Sequence, residues 1–141
     1  MARRRERSRG QALVEFAISV PIFLLLMMGV FDLGRAIYMY NGVSEAAREI
    51  ARVTSVHPGT TLGNSAETAA VIATQKGLIP NLGTPTFTCV DIDGSALNSP
   101  TTCVAGNQLK VVIVAPYKPV TPILGLIGTW NMQSTSAVSI Q

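Results

Sequence analysis

A chain of 141 residues has room for one modest domain and an appendage, which excludes a two-domain enzyme. Hydrophobic residues make up 48% and charged residues only 13%, well below the roughly 25% charge of an ordinary soluble domain, so part of the chain is composed for lipid. The formal charge of +3 is concentrated in Arg3, Arg4, Arg5, Arg7 and Arg9, set against Glu6; the cations that remain are scattered from Arg35 to Lys118, which excludes a phosphate-binding face and nucleic acid as a partner.

In chain order, residues 1–10 read as a basic cytoplasmic leader and 11–31 as a transmembrane helix. Residues 32–56 read as an extension of that helix outside the membrane, and 57–141 as an exported α+β head. The run QALVEFAISVPIFLLLMMGVF, Gln11 to Phe31, holds a single charge, Glu15. At about 1.5 Å per residue its apolar part, Ala12 to Phe31, matches the ~30 Å hydrocarbon thickness of a bilayer. It is longer than a secretory h-region and ends at Asp32-Leu33-Gly34-Arg35 rather than at a small-residue cleavage site. The arginines before the span keep the leader in the cytoplasm and send the head across.

Helical periodicity continues past the span. Val43, Ala47, Ile50 and Thr54 fall on one helix face, and Glu45 with Arg48 and Glu49 with Arg52 form i, i+3 pairs opposite. Pro21 and Gly42 are the expected bend points. Asp32 and Arg35 read as an interfacial ion pair closing the span, with Tyr38 and Tyr40 as belt aromatics.

The breaker cluster HPGTTLGN, His57 to Asn64, ends the long helix near Val56. Ser65 caps a second helix over Ala66 to Lys76, with an apolar stripe of Ala69, Ile72 and Ala73, and Gly77 and Pro80 as its stop. Strands are expected at Thr86 to Ile92, at Gln108 to Ala115 with Leu109, Val111 and Ile113 on one face, and more weakly at Ser134 to Ile140. They make a small antiparallel sheet of about three strands, giving an α+β class. Asp93-Gly94 is a turn, favoured over the start of a calcium loop because the rest of that loop is missing. The segment Pro122 to Gly128 reads as a short buried helix or an exposed apolar loop on the bilayer or a partner; burial under the sheet is preferred.

Cys89 and Cys103 are the only cysteines. On the exported side they read as a structural disulfide, in preference to a zinc site, for which C-x-x-C spacing and nearby histidine are wanting, or a redox pair. His57 reads as a solvated loop residue. No nucleophile elbow, metalloprotease helix or phosphate loop is present in the sequence, so no catalytic residue, metal ligand or cofactor is expected. Asn98-Ser99-Pro100 is not a glycosylation acceptor.

Glu15 has two readings. A carboxylate near the cytoplasmic edge of the span reaches the headgroups or is protonated; or a peptidase cuts after Gly10, and the new Gln11 ammonium pairs with Glu15 of the same or a neighbouring chain. Gly10, four residues, Glu15 and Phe16 resemble the processing site of tight-adherence (Tad, or Flp) pilins, where tyrosine more often stands in place of Phe16. From Arg9 to Val53 the order G-Q-x-x-V-E-F, an apolar span ending D-x-G-R, an aromatic-rich turn and A-A-R-E-x-A-R is similar to TadE-like proteins, minor pseudopilins of the type IV pilin superfamily. The resemblance implies a single-pass protein of the bacterial inner membrane, cut after Gly10 by a prepilin peptidase, with Gly10, Gln11, Glu15 and Phe16 as processing site and Glu15 as subunit contact. It implies other pilins and pseudopilins and the Tad inner-membrane assembly platform as partners. The alternative is an uncleaved anchored module whose exported head binds a ligand.

Overall fold

A computed structural model describes residues 2–97, 103–126 and 128–140, with the backbone alone for Ala2 to Arg9 and for Ile123. The Asn98-Ser99-Pro100 reading lies outside the described residues. In chain order the elements are helix α1 (Ala2–Val56), helix α2 (Ala66–Leu78), strand β1 (Thr86–Val90), strand β2 (Gln108–Tyr117), the short helix α3 (Pro122–Gly125) and strand β3 (Trp130–Ser139). The chain divides into two compact units, one of Met1–Arg35 with Pro119–Gly128, the other of Ala36–Lys118 with Thr129–Gln141.

α1 starts at Ala2 rather than at Gln11. Arginine is a good helix former and no proline or glycine separates Ala2 from Arg9, so nothing local stops the helix. Pro21 and Gly42 lie inside α1 without ending it; Pro21 removes one backbone donor, and the turns on either side carry the helix past it.

The second unit is an α+β head. Its sheet runs β1-β2-β3 and is antiparallel throughout. Alternation along β2 sends Leu109, Val111, Ile113, Ala115 and Tyr117 to the buried face, as a half-buried strand requires. The face of α1 read from the sequence, Val43, Ala47, Ile50 and Thr54, is fully buried. Its apolar members join Leu109, Val111 and Ile113 in one hydrophobic cluster. Glu49 and Arg52 on the same helix are bound through two N–H···O contacts of 2.7 and 2.9 Å, and Arg48 stands 3.8 Å from Glu45.

Three sequence expectations need correction. In α2 the buried residue is Thr68, with Val71 and Ile72 partly buried, while Ala69 and Ala73 face solvent. The hydrogen bonds of the helix start fix this rotation: the Ser65 hydroxyl accepts from the Thr68 amide at 3.1 Å, and the Thr68 hydroxyl meets that of Thr54 at 3.1 Å in the core. α2 also runs through Gly77 to Leu78 and closes at Ile79, whose N–H donates to the Gln75 carbonyl. The third correction concerns β3, which begins at Trp130, four residues before the expected start, because it pairs with β2 along all ten residues from Tyr117↔Trp130 to Gln108↔Ser139.

The Asp93-Gly94 turn forms as expected. Gly94 has φ +87°, a conformation an L side chain rarely tolerates, and the Asp93 carboxylate accepts from the Ser95 amide and hydroxyl at 2.9 and 2.7 Å. Cys89 and Cys103 are joined as a disulfide, with Cα atoms 5.6 Å apart. Gly83 is required by close approach: its N–H donates to the Val114 carbonyl at 2.8 Å, and a Cβ there would stand 2.6 Å from that same oxygen.

Candidate functional site

The functional candidates cluster in the unit formed by Met1–Arg35 and Pro119–Gly128. From Ala12 to Phe31 its helix is apolar except for Glu15. The most apolar 18-residue stretch within Gly10–Val56 has mean hydropathy 2.3 and is entirely unburied, so this helix is long and apolar enough to cross a membrane. Phe16, Phe23, Leu26, Val30 and Phe31 are all more than half exposed. A helix hydrophobic all round belongs in lipid or in the core of a larger protein, and among the described residues none buries this stretch.

At the start of that surface, Gly10 is exposed and a Cβ there would meet nothing within 4 Å. One helical turn later the Gln11 side-chain amide donates to Glu15 at 3.4 Å, so the structure brings the two together on one face. Glu15 and Phe16 both point outward. Of the residues singled out from the sequence, Gln11 and Glu15 thus share a face, while Gly10 and Phe16 are exposed on the same first turns of the apolar helix.

Asp32 departs from the sequence reading. The expected ion pair is present, with Arg35 Nη1 at 3.6 Å, yet Asp32 is only 4% exposed and its main partners come from the far end of the chain. Its carboxylate accepts from the Val120 amide at 3.0 and 3.1 Å, from the Thr121 amide at 2.6 Å, and from the Thr121 hydroxyl. A carboxylate at the end of an apolar span needs donors to offset its lost hydration, and these residues supply them. Thr121 is also the N-cap of α3, with Pro122 following at the first helical position, where its missing N–H costs nothing. No local spacing could have revealed the contact, since 88 residues separate Asp32 from Val120.

The clamp overturns the preferred reading of Pro122 to Gly128. That segment belongs to the unit of the apolar helix, not to the sheet, and Leu126 is 88% exposed. The disulfide cysteines are buried in the head, and His57 is exposed. Among the described residues, no group of three His, Cys, Asp or Glu side chains is placed to hold a metal ion.

Against known proteins, a family model described as TadE-like protein matches residues 10–52. No curated protein and no solved structure matches the chain. The match begins at the candidate processing glycine, takes in Glu15, Phe16, the apolar run and Asp32, and ends at Arg52 within the buried stretch of α1; the rest of the head lies outside it. Over residues 10–52, therefore, the chain is similar to TadE-like proteins.

Proposed function

We propose that this chain is a minor pilin or pseudopilin serving assembly of tight-adherence (Flp) pili. It is a non-enzymatic single-pass protein of the bacterial inner membrane, with its N-terminus in the cytoplasm and its head outside. The observation that carries the reading is the family match starting at Gly10, together with the exposed contact of the Gln11 side chain with Glu15 one turn on. Hydrolysis of the Gly10–Gln11 peptide bond by a prepilin peptidase consumes a water, leaves a carboxylate on Gly10 and turns the Gln11 backbone nitrogen into an ammonium about one helical turn from Glu15. In a low-dielectric setting such a pair sets the register of neighbouring helices. Gly10 suits the role because nothing crowds its backbone. The arginines of the leader supply the orientation signal, and the partners in this reading are the peptidase, other pilins and pseudopilins, and the inner-membrane assembly platform.

One observation favours a second reading. α1 is continuous through Gly10, and a peptidase needs its substrate strand extended, so cleavage requires the helix to unwind there. An uncleaved anchor with a ligand-binding head has no such requirement. Co-expression with a prepilin peptidase separates the two: the natural chain shortens by its leader while Gly10→Leu stays full length. Equal lengths for the two, whether both long or both short, would defeat the processing reading.

A further inference from the structure

We propose that the segment Pro119–Gly128 is a second membrane contact: an apolar loop and short helix that lies in the outer lipid interface beside the span, held there by Asp32. The inference rests on the reading of the Gly10–Val56 helix as a membrane span. Four observations lead to it. The segment, PVTPILGLIG, carries no charge. It forms one compact unit with the apolar part of α1, not with the head. Its backbone at Val120 and Thr121 is hydrogen-bonded to Asp32, the residue that directly follows the apolar run ending at Phe31, so it is fixed at the level where hydrocarbon gives way to headgroups. And two of its apolar side chains turn away from the protein, Leu126 being 88% and Val120 66% exposed.

Lipid is the occupant that fits all four. An apolar element settles about 5–10 Å into the headgroup boundary when its polar backbone and flanking charges reach water or headgroups. Here the carboxylate of Asp32 is sequestered by three donor groups and Arg35, which leaves no bare anion facing lipid. The Arg35 side chain, over half exposed, is one turn further along α1, in reach of lipid phosphates.

The test uses the full chain in phosphatidylcholine nanodiscs with bromine on the acyl chains, either near the headgroup or near the chain end. Trp130 is the single tryptophan, so Trp130→Phe clears the background for one reporter, Leu126→Trp or, in the middle of the span, Leu25→Trp. The expected result is that Leu25→Trp is quenched best by chain-end bromine and Leu126→Trp by headgroup-proximal bromine. Adding Asp32→Asn should remove roughly half or more of the Leu126→Trp quenching, as weakened hydrogen bonding frees the segment, while leaving that of Leu25→Trp unchanged. If Leu25→Trp is quenched and Leu126→Trp is not, the segment faces water or protein and the inference is wrong. If neither is quenched, the span reading fails and takes the inference with it. Quenching at position 126 that ignores Asp32→Asn would overturn the role given to the clamp.

Discussion

Asp32 shows how one side chain joins residues remote in sequence. Its oxygens satisfy the Val120 and Thr121 amides and the Thr121 hydroxyl, so removing the carboxylate strands donors that are partly or wholly buried. Asp32→Ala should weaken this local structure by about 1–3 kcal/mol, equivalent to roughly 5- to 150-fold faster hydrogen exchange at those two amides; unchanged exchange would show that they are protected in some other way. Reading Asp32 as a simple ion pair with Arg35 was half correct, because sequence spacing exposes i, i+3 partners but says nothing of a loop that returns 88 residues later. A second carboxylate is governed locally. The hydroxyl and then the amide of Ser95 bind the Asp93 carboxylate and hold its pKa below the ordinary aspartate value of 3.8. A depressed folded-state pKa means that the turn's contribution is present above 3.8 and lost as pH falls through the lower, folded value. An NMR titration should therefore place the Asp93 midpoint below that of a free aspartate, and Ser95→Ala should return it toward the ordinary value; no movement on substitution would sever the link to Ser95.

At the scale of elements, legibility followed periodicity and its range. The buried face of α1 at Val43, Ala47, Ile50 and Thr54 and the alternation of β2 were visible because packing follows the periods of 3.6 and 2 directly. The rotation of α2 was not, since its buried position is a threonine, Thr68, chosen by hydrogen bonds to Ser65 and Thr54 rather than by hydrophobicity. β3 was weakly legible because its sequence, WNMQSTSAVS, is largely polar and its length is set by pairing with β2. α3 was misplaced for a related reason: an apolar run usually means core, but this one is anchored by its backbone with Leu126 turned outward. The disulfide belongs to this scale too. Cys89 lies in β1 and Cys103 just before β2, so the bond closes the connection of the two strands, and a loop of about fifteen residues gives on the order of 3 kcal/mol by the chain-entropy model. Replacing both cysteines by alanine should lower the thermal midpoint of the head by roughly 10–20 °C; a shift of only a degree or two would mean that the packed sheet holds this connection without the bond.

For the whole molecule, the division of labour follows composition. The first unit is apolar and outward-facing and contains the processing candidates; the second has a closed core in which the inner stretch of α1 serves as the packing helix. The family match reaches from Gly10 to Arg52, across the exposed apolar helix and into the stretch of α1 that packs in the core of the head. The contact of Gln11 with Glu15 was legible because a helix places i and i+4 together. A role for the head was not legible, since among the described residues it offers no group of side chains placed to hold a metal ion.

The central claim is that the leader is removed to create a charged terminus beside Glu15. It is tested most directly by mass spectrometry of the N-terminal peptide of the protein purified from its own membranes. The account predicts a mature chain that starts at Gln11. A chain that starts at Met1 or Ala2 would contradict it and leave the arginine leader as an orientation signal on an uncleaved anchor.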